Sequence, residues 1–249
     1  MAPPDPRPLG TTRLGLPRVH FRRIDSTNAR ARTLAAAGTP HGTLVTASEQ
    51  TAGRGRQGRT WSAPAGRALL MSLLLRDPPP LLPLAAGVAV CDAARAAGAT
   101  EARLKWPNDL VLATASGGLA KFGGILVEGR PQEGWAVLGI GVNVALRPEN
   151  LPAELAAASL ELDPAAVETV LELVLEALTR RLAEPAPALL DAWRARDALH
   201  GRELEWSGGR GRGAGVDEAG RLVVIGADGQ RTALDAGEVH LGVGAVAPG

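Results

Sequence analysis

Four short runs between residues 102 and 144, "ARLKW", "DLVLA", "KFGGILVEG" and "WAVLGIGVNV", constrain this chain more than any other feature. Each is rich in branched or aromatic side chains and too short for a buried helix, and Pro107-Asn108 and "TASGG" separate some of them as turns. A sheet must therefore sit at the centre, and the rest of the chain must cover it. Upstream, "DSTNARARTLAAAG" predicts a helix with Ser26 or Thr27 as N-cap and Gly38 as its stop. "TLVTAS" and "ALLMSLLLR" predict two more strands, and after prolines 78–80 "LAAGVAVCDAARAAG" predicts a buried helix. From Pro152 to about Ala198 the pattern turns helical, clearest where Val167, Val170, Leu171, Val174 and Leu178 recur at helical spacing. From Gly201, "RELEWSG", "RLVVIGADGQRTAL" and "GEVHLGV" predict the short strands of a small β-barrel, with "GGRGRGAG" at 208–215 as one of its turns. The expected organisation is α+β: a flexible Pro-rich leader over 1–18, a body over 19–199 and a barrel over 200–249.

Composition narrows the chemistry. A formal charge of +1 leaves no broad field for holding nucleic acid, so any anion site has to be local. The longest apolar run, "ALLMSLLL", is too short to span a bilayer, and the first residues lack the apolar stretch of a secretory signal; a cytoplasmic protein without a membrane partner is expected. One cysteine, Cys91, cannot form an internal disulfide and reads as core filler, and four scattered histidines offer no metal-ligand spacing. Of 27 cationic side chains only Lys105 and Lys121 are lysines, which points to a place where a compact ammonium is wanted rather than a guanidinium fork.

Three clusters carry the candidate chemistry. In "GIGVNV", alternation puts Gly139, Gly141 and Asn143 on one face of a strand and Ile140, Val142 and Val144 on the other. Either a flat ligand lies against the bare glycine backbone with the Asn143 amide at its edge, or a helix packs closely there. In "KFGGILVE" the same alternation puts Lys121 and Gly123 on one face, with Phe122, Gly124 and Leu126 on the other. A lysine in so apolar a strand either meets an anion or reaches water from a sheet edge. In "LKWPND", Pro107 ends the strand and Asn108-Asp109 begins a turn, with Asp109 close enough in sequence to pair with a lysine. The segment "TAGRGRQGRTW" at 51–61 sets Gly53, Gly55 and Gly58 among Arg54, Arg56 and Arg59 and closes on Trp61. It either wraps an anion, with Trp61 as a stacking face, or is a solvated surface loop. It lacks the Gly-Lys-Ser/Thr ending of the common phosphate loop.

Taken in this order, "DSTN", "EQTAGRGRQGRTW", "LKWPNDL", "KFGGILVE" and "GIGVNV" resemble the biotin protein ligases, over residues 20 to 145 by motif and over the remainder by layout. The resemblance implies a class II aminoacyl-tRNA synthetase-like catalytic domain, with a mixed β-sheet flanked by helices, and a small C-terminal SH3-like β-barrel. It implies that biotin is activated with ATP as biotinyl-5′-adenylate and passed to a lysine of a biotin carboxyl carrier protein. By the same resemblance, Ser26, Thr27, Asn28 and Gln50 face the biotin ureido ring, although the hydroxyls of that stretch are equally suited to capping the helix. Gly53, Arg54, Gly55 and Arg56 close over biotin and the phosphates, with Gly123 and Gly124 beside them. Lys121 lies between the biotin carboxylate and the α-phosphate as the principal catalytic group, supported by Arg56 and Lys105, and Asp109 orients or deprotonates the incoming lysine. Arg59, Trp61, Asn108 and Asn143 hold ATP, with Trp61 and Asn143 at the adenine. Mg²⁺ accompanies the ATP phosphates, and no dedicated metal site is legible.

Departures from the family pattern are a bulky Phe122 where an aliphatic residue is common and a long small-residue connection, "LATASGGLA". About twenty-five residues precede the Ser-Thr-Asn stretch, so the expectation is a monofunctional ligase without a DNA-binding domain or nucleic-acid partner; a homodimer is compatible with it. Two rivals stand beside this reading: a lipoate-type ligase on the same scaffold, and a single-strand-binding module that uses the Arg-Gly loops and tryptophans.

Overall fold

In the structure, a computed structural model that describes residues 13–130, 133–147, 156–235 and 239–241, the six strands predicted for the body join a seventh, unpredicted one at its N-terminal edge in one seven-stranded mixed sheet. Its strands are β1 (Arg18–Phe21), β2 (Leu44–Ala47), β3 (Ala68–Arg76), β4 (Arg103–Lys105), β5 (Asp109–Ala113), β6 (Leu119–Arg130) and β7 (Trp135–Asn143), in the order β1-β2-β3-β7-β6-β5-β4. Only β1 and β2 run parallel; every other pair is antiparallel. Residues 1–12 of the expected leader lie outside the described residues. Residues 13–18 are part of the fold rather than leader: Gly15 N–H donates to Gly42 O, Leu44 N–H donates to Pro17 O, and Arg18 already opens β1.

The two faces of the sheet are covered unequally, and that inequality makes the site. One face is covered by α2 (Leu82–Ala96), which is apolar on nearly every side and packs on β4, β5 and β6, by α3 (Ala166–Leu182), which packs on α2 and β3, and by α4 (Ala186–Arg194) against α2. Met71, Leu73, Leu138, Ile140, Val142 and Phe122 point into this core with Val174 and Leu178 of α3. The expected core role of Cys91 fits: its buried thiol donates to Ala102 O, and burial pushes its pKa up to about 11. The other face carries a single helix, α1 (Thr27–Ala36), whose Ala31 and Ala35 pack on Val45, Leu74 and Val137. Ser26 caps α1 by accepting from Ala29 N–H, and Gly38, at φ +82°, ends it in the left-handed region. Helix α1 covers β2, β3 and the start of β7. Towards the far ends of β6 and β7 the sheet is left open.

Two expectations fail for identifiable reasons. The helical reading from Pro152 holds only from Ala166; residues 152–155 lie outside the described residues, and 156–160 are not helical but run alongside the sheet. Lys121 N–H donates to Ala156 O, Ala158 N–H to Lys121 O, and Leu160 N–H to Asn143 O, so this segment continues the sheet where β7 ends. "GGRGRGAG" is a strand and not a turn. It forms β9 (Gly209–Val216), in which exposed Arg210 and Arg212 alternate with Gly211 and Gly213, and a Cβ on Gly213 would lie 2.3 Å from Leu199 O. The glycines there serve close backbone approach rather than chain reversal.

Strand β9 joins β8 (Glu203–Trp206), β10 (Leu222–Ile225), β11 (Arg231–Leu234) and β12 (His240–Leu241) in an antiparallel sheet ordered β11-β10-β9-β8-β12. Among the described residues it is an open sheet with β11 and β12 as edges, where a closed barrel was expected; residues 236–238 and 242–249 of that barrel lie outside the described ones. It is tied to the body by Trp106 Nε1 donating to Gly220 O at 3.1 Å and by Arg194 donating to Val216 O. Between α2, α3 and the α4 exit, Asp92 receives Arg181 at 2.7 Å and Arg196 at 2.6 Å. Burial pushes the Asp92 carboxyl up, but the hydrogen bond and charge of Arg181 with the charge of Arg196 reverse this and hold it below its ordinary value.

Asp197 behaves oppositely. It is 5% exposed at the entry to the C-terminal sheet, its Oδ1 accepts from Leu199 N–H, and its Oδ2 has no partner among the described residues. Burial raises its pKa to about 6, against the lowering effect of the Leu199 N–H and the charge of His200. The native state therefore binds more protons than the unfolded state between pH of about 4 and 6, so this residue's contribution to stability falls as pH rises through that window. Asp197→Asn removes the titration: relative to wild type it gains on the order of 3 kcal/mol between pH 4 and 7, measurable from urea midpoints across that range. Gly139→Ala places a Cβ 2.2 Å from Asn28 Oδ1 and costs about 1–3 kcal/mol by overpacking, read from the same denaturation curves.

Candidate active site

The open half of the sheet forms a cavity of about 760 Å³ whose floor is β6 and β7. The parity of its floor is set by a bulge. Leu110 of β5 pairs with Gly123 of β6, but Val111 pairs with Lys121, so Phe122 is an extra residue in the ladder. Phe122 turns into the core at 0% exposure, and Lys121 turns into the cavity beside Gly124, where a Cβ would sit 3.3 Å from Lys121 Nζ. The expected pairing of Lys121 with Gly123 on one face is thus corrected: Lys121 shares its face with Gly124, while Gly123 backs onto Leu110. The bare face of β7 is shared out as well. Gly139 is covered by Asn28 of α1, which is the helix packing left open by the sequence, and Gly141 is covered by the Trp61 ring, 2.7 Å from where a Cβ would stand.

One end of the cavity is lined by uncharged side chains that are hydrogen-bonded to one another at the start of α1 and backed by an ion pair. Thr27 donates from its backbone N–H at 2.7 Å and from its hydroxyl at 3.0 Å to Gln50 Oε1. Ser72 Oγ on β3 lies 2.8 Å from Thr27 Oγ1 and 2.5 Å from Asn28 Oδ1. Asn28 Nδ2 donates to Glu128 Oε2 at 2.8 Å, and Arg32 donates to the other Glu128 oxygen at 2.8 Å. Thr27, Asn28 and Ser72 are all buried. Buried polar groups this well partnered hold a fixed geometry.

The other end is cationic. Arg56, Arg59, Lys105 and Lys121 line it against one carboxylate among the described residues, Asp109, in a chain whose total charge is only +1, while Arg54 lies towards Glu128. The hairpin of β4 and β5 pairs Lys105 with Asp109 across its base and puts Trp106, Pro107 and Asn108 at its turn. Asn108 pins that turn to β6 by donating to Ile125 O at 3.0 Å, and its Oδ1 accepts from Arg56 at 3.3 Å. Lys121 Nζ donates to Asp109 Oδ1 at 2.5 Å and lies 5.8 Å from the centre of the Trp61 ring. Segment 51–61 is a narrow hairpin of its own: Trp61 N–H donates to Gly53 O, Arg54 bridges Thr60, and Gln57 at φ 54° with Gly58 at φ +75° turns the chain. Trp61 Nε1 is buried with no acceptor among the described residues, a donor left for something in the cavity. Asn143, 6% exposed, donates to Ala158 O and so fixes segment 156–158 as the end wall.

Of the residues singled out from sequence, Ser26, Thr27, Asn28 and Gln50 meet Arg54, Gly55, Arg56, Arg59 and Trp61 here, with Lys105, Asn108, Asp109, Lys121, Gly124 and Asn143. Gly53 and Gly123 do not line the cavity: Gly53 sits at the base of the hairpin loop, and the bulge carries Gly123 to the other face. Sequence reasoning missed Ser72, Glu128 and the 156–158 wall. Ser72 had a readable signal, a lone hydroxyl within "ALLMSLLLR", and Glu128 closes the quoted "KFGGILVE". The wall had none, because "AAAS" carries no pattern.

Residues 20–144 match the Biotin/lipoate A/B protein ligase family. The biotin–[acetyl-CoA-carboxylase] ligase of Mycobacterium tuberculosis is 36% identical over 237 residues, covering 87% of this chain and 86% of that protein. The bifunctional ligase/repressor BirA of Bacillus subtilis is 36% identical over 170 residues, 65% of this chain; the match spans about half of that longer relative, 51%. Among solved structures, a biotin protein ligase from Aquifex aeolicus in complex with biotin and ATP superposes with a TM-score of 0.73 at 27% identity, over 90% of this chain and 97% of that one.

The base of the hairpin loop is tested by Gly53→Ala, whose Cβ would stand 2.3 Å from Trp61 O. Tryptic cleavage at Arg54, Arg56 and Arg59 is expected to accelerate by about tenfold or more, with the thermal midpoint of the body little changed.

Proposed function

The chain belongs to the biotin/lipoate A/B protein ligase family, and from that premise we propose that it activates biotin with ATP as biotinyl-5′-adenylate and passes the acyl group to a lysine of a biotin carboxyl carrier domain. The observation that carries this reading is one cavity with a neutral hydrogen-bonded end and a cationic end, roomy enough for a vitamin beside a nucleotide. The ring end supports biotin over lipoate. A urea offers one carbonyl acceptor and two N–H donors that can add to the hydrogen bonds among Thr27, Gln50 and their partners, whereas a dithiolane offers neither a strong donor nor a strong acceptor to them.

An amine and a carboxylate at neutral pH form a salt and not an amide, so the carboxylate has to be activated first. A carboxylate oxygen attacks the α-phosphorus of ATP as the bond to the β-phosphate breaks and pyrophosphate leaves. Both reactants are anions, and two unit charges 4 Å apart repel by about 4 kcal/mol at an effective dielectric of 20. Lys121, Arg56 and Lys105 offset that repulsion from fixed positions. Lys121 is held by Asp109 before substrates arrive; as its ammonium moves to the carboxylate and α-phosphate, the Asp109 carboxylate is released. It then takes a proton from the incoming lysine ammonium, whose nitrogen attacks the acyl carbon while AMP leaves. Trp61, with its unpartnered indole N–H, and Asn143 take the nucleotide, and Arg59 takes its phosphates. Magnesium belongs to this scheme as the counterion of ATP, bound by phosphate oxygens and water.

The finer architecture follows the same reading. The C-terminal sheet is taken as the SH3-like barrel of the family, joined to a catalytic domain that ends near residue 199, and the enzyme and its carrier share the cytoplasm. Biotin-dependent exchange of labelled pyrophosphate into ATP tests the activity, and transfer to a carrier domain tests the second step. Exchange stimulated by lipoate and not by biotin would overturn the choice of substrate. Lys121→Ala is expected to fold as wild type by circular dichroism and to slow exchange by about 10²–10³-fold or more; wild-type rates in that variant would remove Lys121 from its role.

A further inference from the structure

We propose that Glu128 is a positioning residue of this site: its carboxylate fixes the proton order at the ring end of the cavity and holds the 51–61 hairpin loop above it through Arg54. Glu128 lies on β6, its side chain 21% exposed, and both of its oxygens are engaged, one by Asn28 Nδ2 and one by Arg32, each at 2.8 Å. Arg54 of the loop stands 3.8 Å from the oxygen that Arg32 occupies. Glu128 also lines a second space, beneath the loop, together with residues 52–60.

A carboxylate can only accept, and that sets every hydrogen bond behind it. The Asn28 amide has to offer its NH₂ to Glu128, so its carbonyl faces Ser72 and takes the Ser72 proton at 2.5 Å. With that proton committed, the Thr27 hydroxyl spends its own proton inside the network, on Ser72 or on Gln50, and meets a ligand as an acceptor. An acceptor at this place suits a urea N–H. The loop has a matching hold at the other end of the cavity, Arg56 on Asn108 at 3.3 Å. Glu128 therefore links three parts of the chain distant in sequence: the start of α1, the sheet floor and the loop. Its effect on affinity rests on reading the cavity as a biotin site; its hold on the loop does not.

The experiment uses the full chain with Glu128→Gln, which keeps the shape and removes the charge. In ligand-free protein, amide hydrogen exchange over residues 53–60 is expected to quicken. Arg54→Gln should produce the same change, and the double variant should add nothing to it, since both remove one contact. In pyrophosphate exchange, the KM for biotin should rise about tenfold, while kcat at saturating biotin stays within about twofold of wild type. Glu128→Asp should recover part of the KM. Unchanged loop exchange and unchanged KM in Glu128→Gln, additive effects in the double variant, or a loss confined to kcat would each overturn the inference. A wild-type protein that binds no biotin would retire the functional reading instead, and the ligand-free exchange comparison would still decide whether Glu128 holds the loop.

Discussion

Strand β6 carries one residue more than β5 can pair, and the placement of Lys121 in the cavity depends on it. Gly124 is fixed on the cavity face by pairing with Gly141 of β7. Regular alternation back from Gly124 would put Phe122 in the cavity and send Lys121 into the leucine-rich core beneath α2, where an unpaired ammonium costs several kcal/mol. The bulge exchanges them. Phe122 gains full burial, and Lys121 comes to rest among Asp109, Gly124 and Trp61. The bulky residue that departs from the family pattern is thus the one that occupies the extra position, and its burial and the exposure of Lys121 are one conformational choice.

The cavity is ordered along its length by polarity. At one end the groups are neutral and spend their hydrogen bonds on one another; at the other, fixed cations outnumber the one lining carboxylate. Asp109 keeps Lys121 in place and itself opens onto the cavity. Such a pair is cheap to exchange, because Lys121 and Asp109 are both partly solvated, at 37% and 24% exposure.

Much of this was legible in the sequence. Six of the seven strands of the body, the α1 cap and the buried α2 follow from periodicity and from the positions of Ser26 and Gly38, while β1 lies where a leader was expected. The order of the motifs also brought most of the site residues together, since chain order along a sheet constrains what can meet. The misses share a cause: glycine-rich and alanine-rich segments carry no side-chain pattern, so parity cannot be read from them. "KFGG" concealed the bulge, "GGRGRGAG" read as a turn although its arginines alternate outward along β9, and the alanines before Ser159 concealed a segment that extends the sheet. Ser72 and Glu128 were visible as residues but not as partners, because the network that joins them exists only after α1 folds onto β3 and β6.

Trp106 sits one residue after Lys105 and two before Asn108, and its indole is anchored in the neighbouring C-terminal sheet at Gly220. The turn between β4 and β5 is thereby braced from outside the seven-stranded sheet. A lesion at the distant turn between β9 and β10 would therefore be felt as a displaced Lys105 and a loosened Asn108–Arg56 contact at the cavity, and not only as local unfolding of the C-terminal sheet.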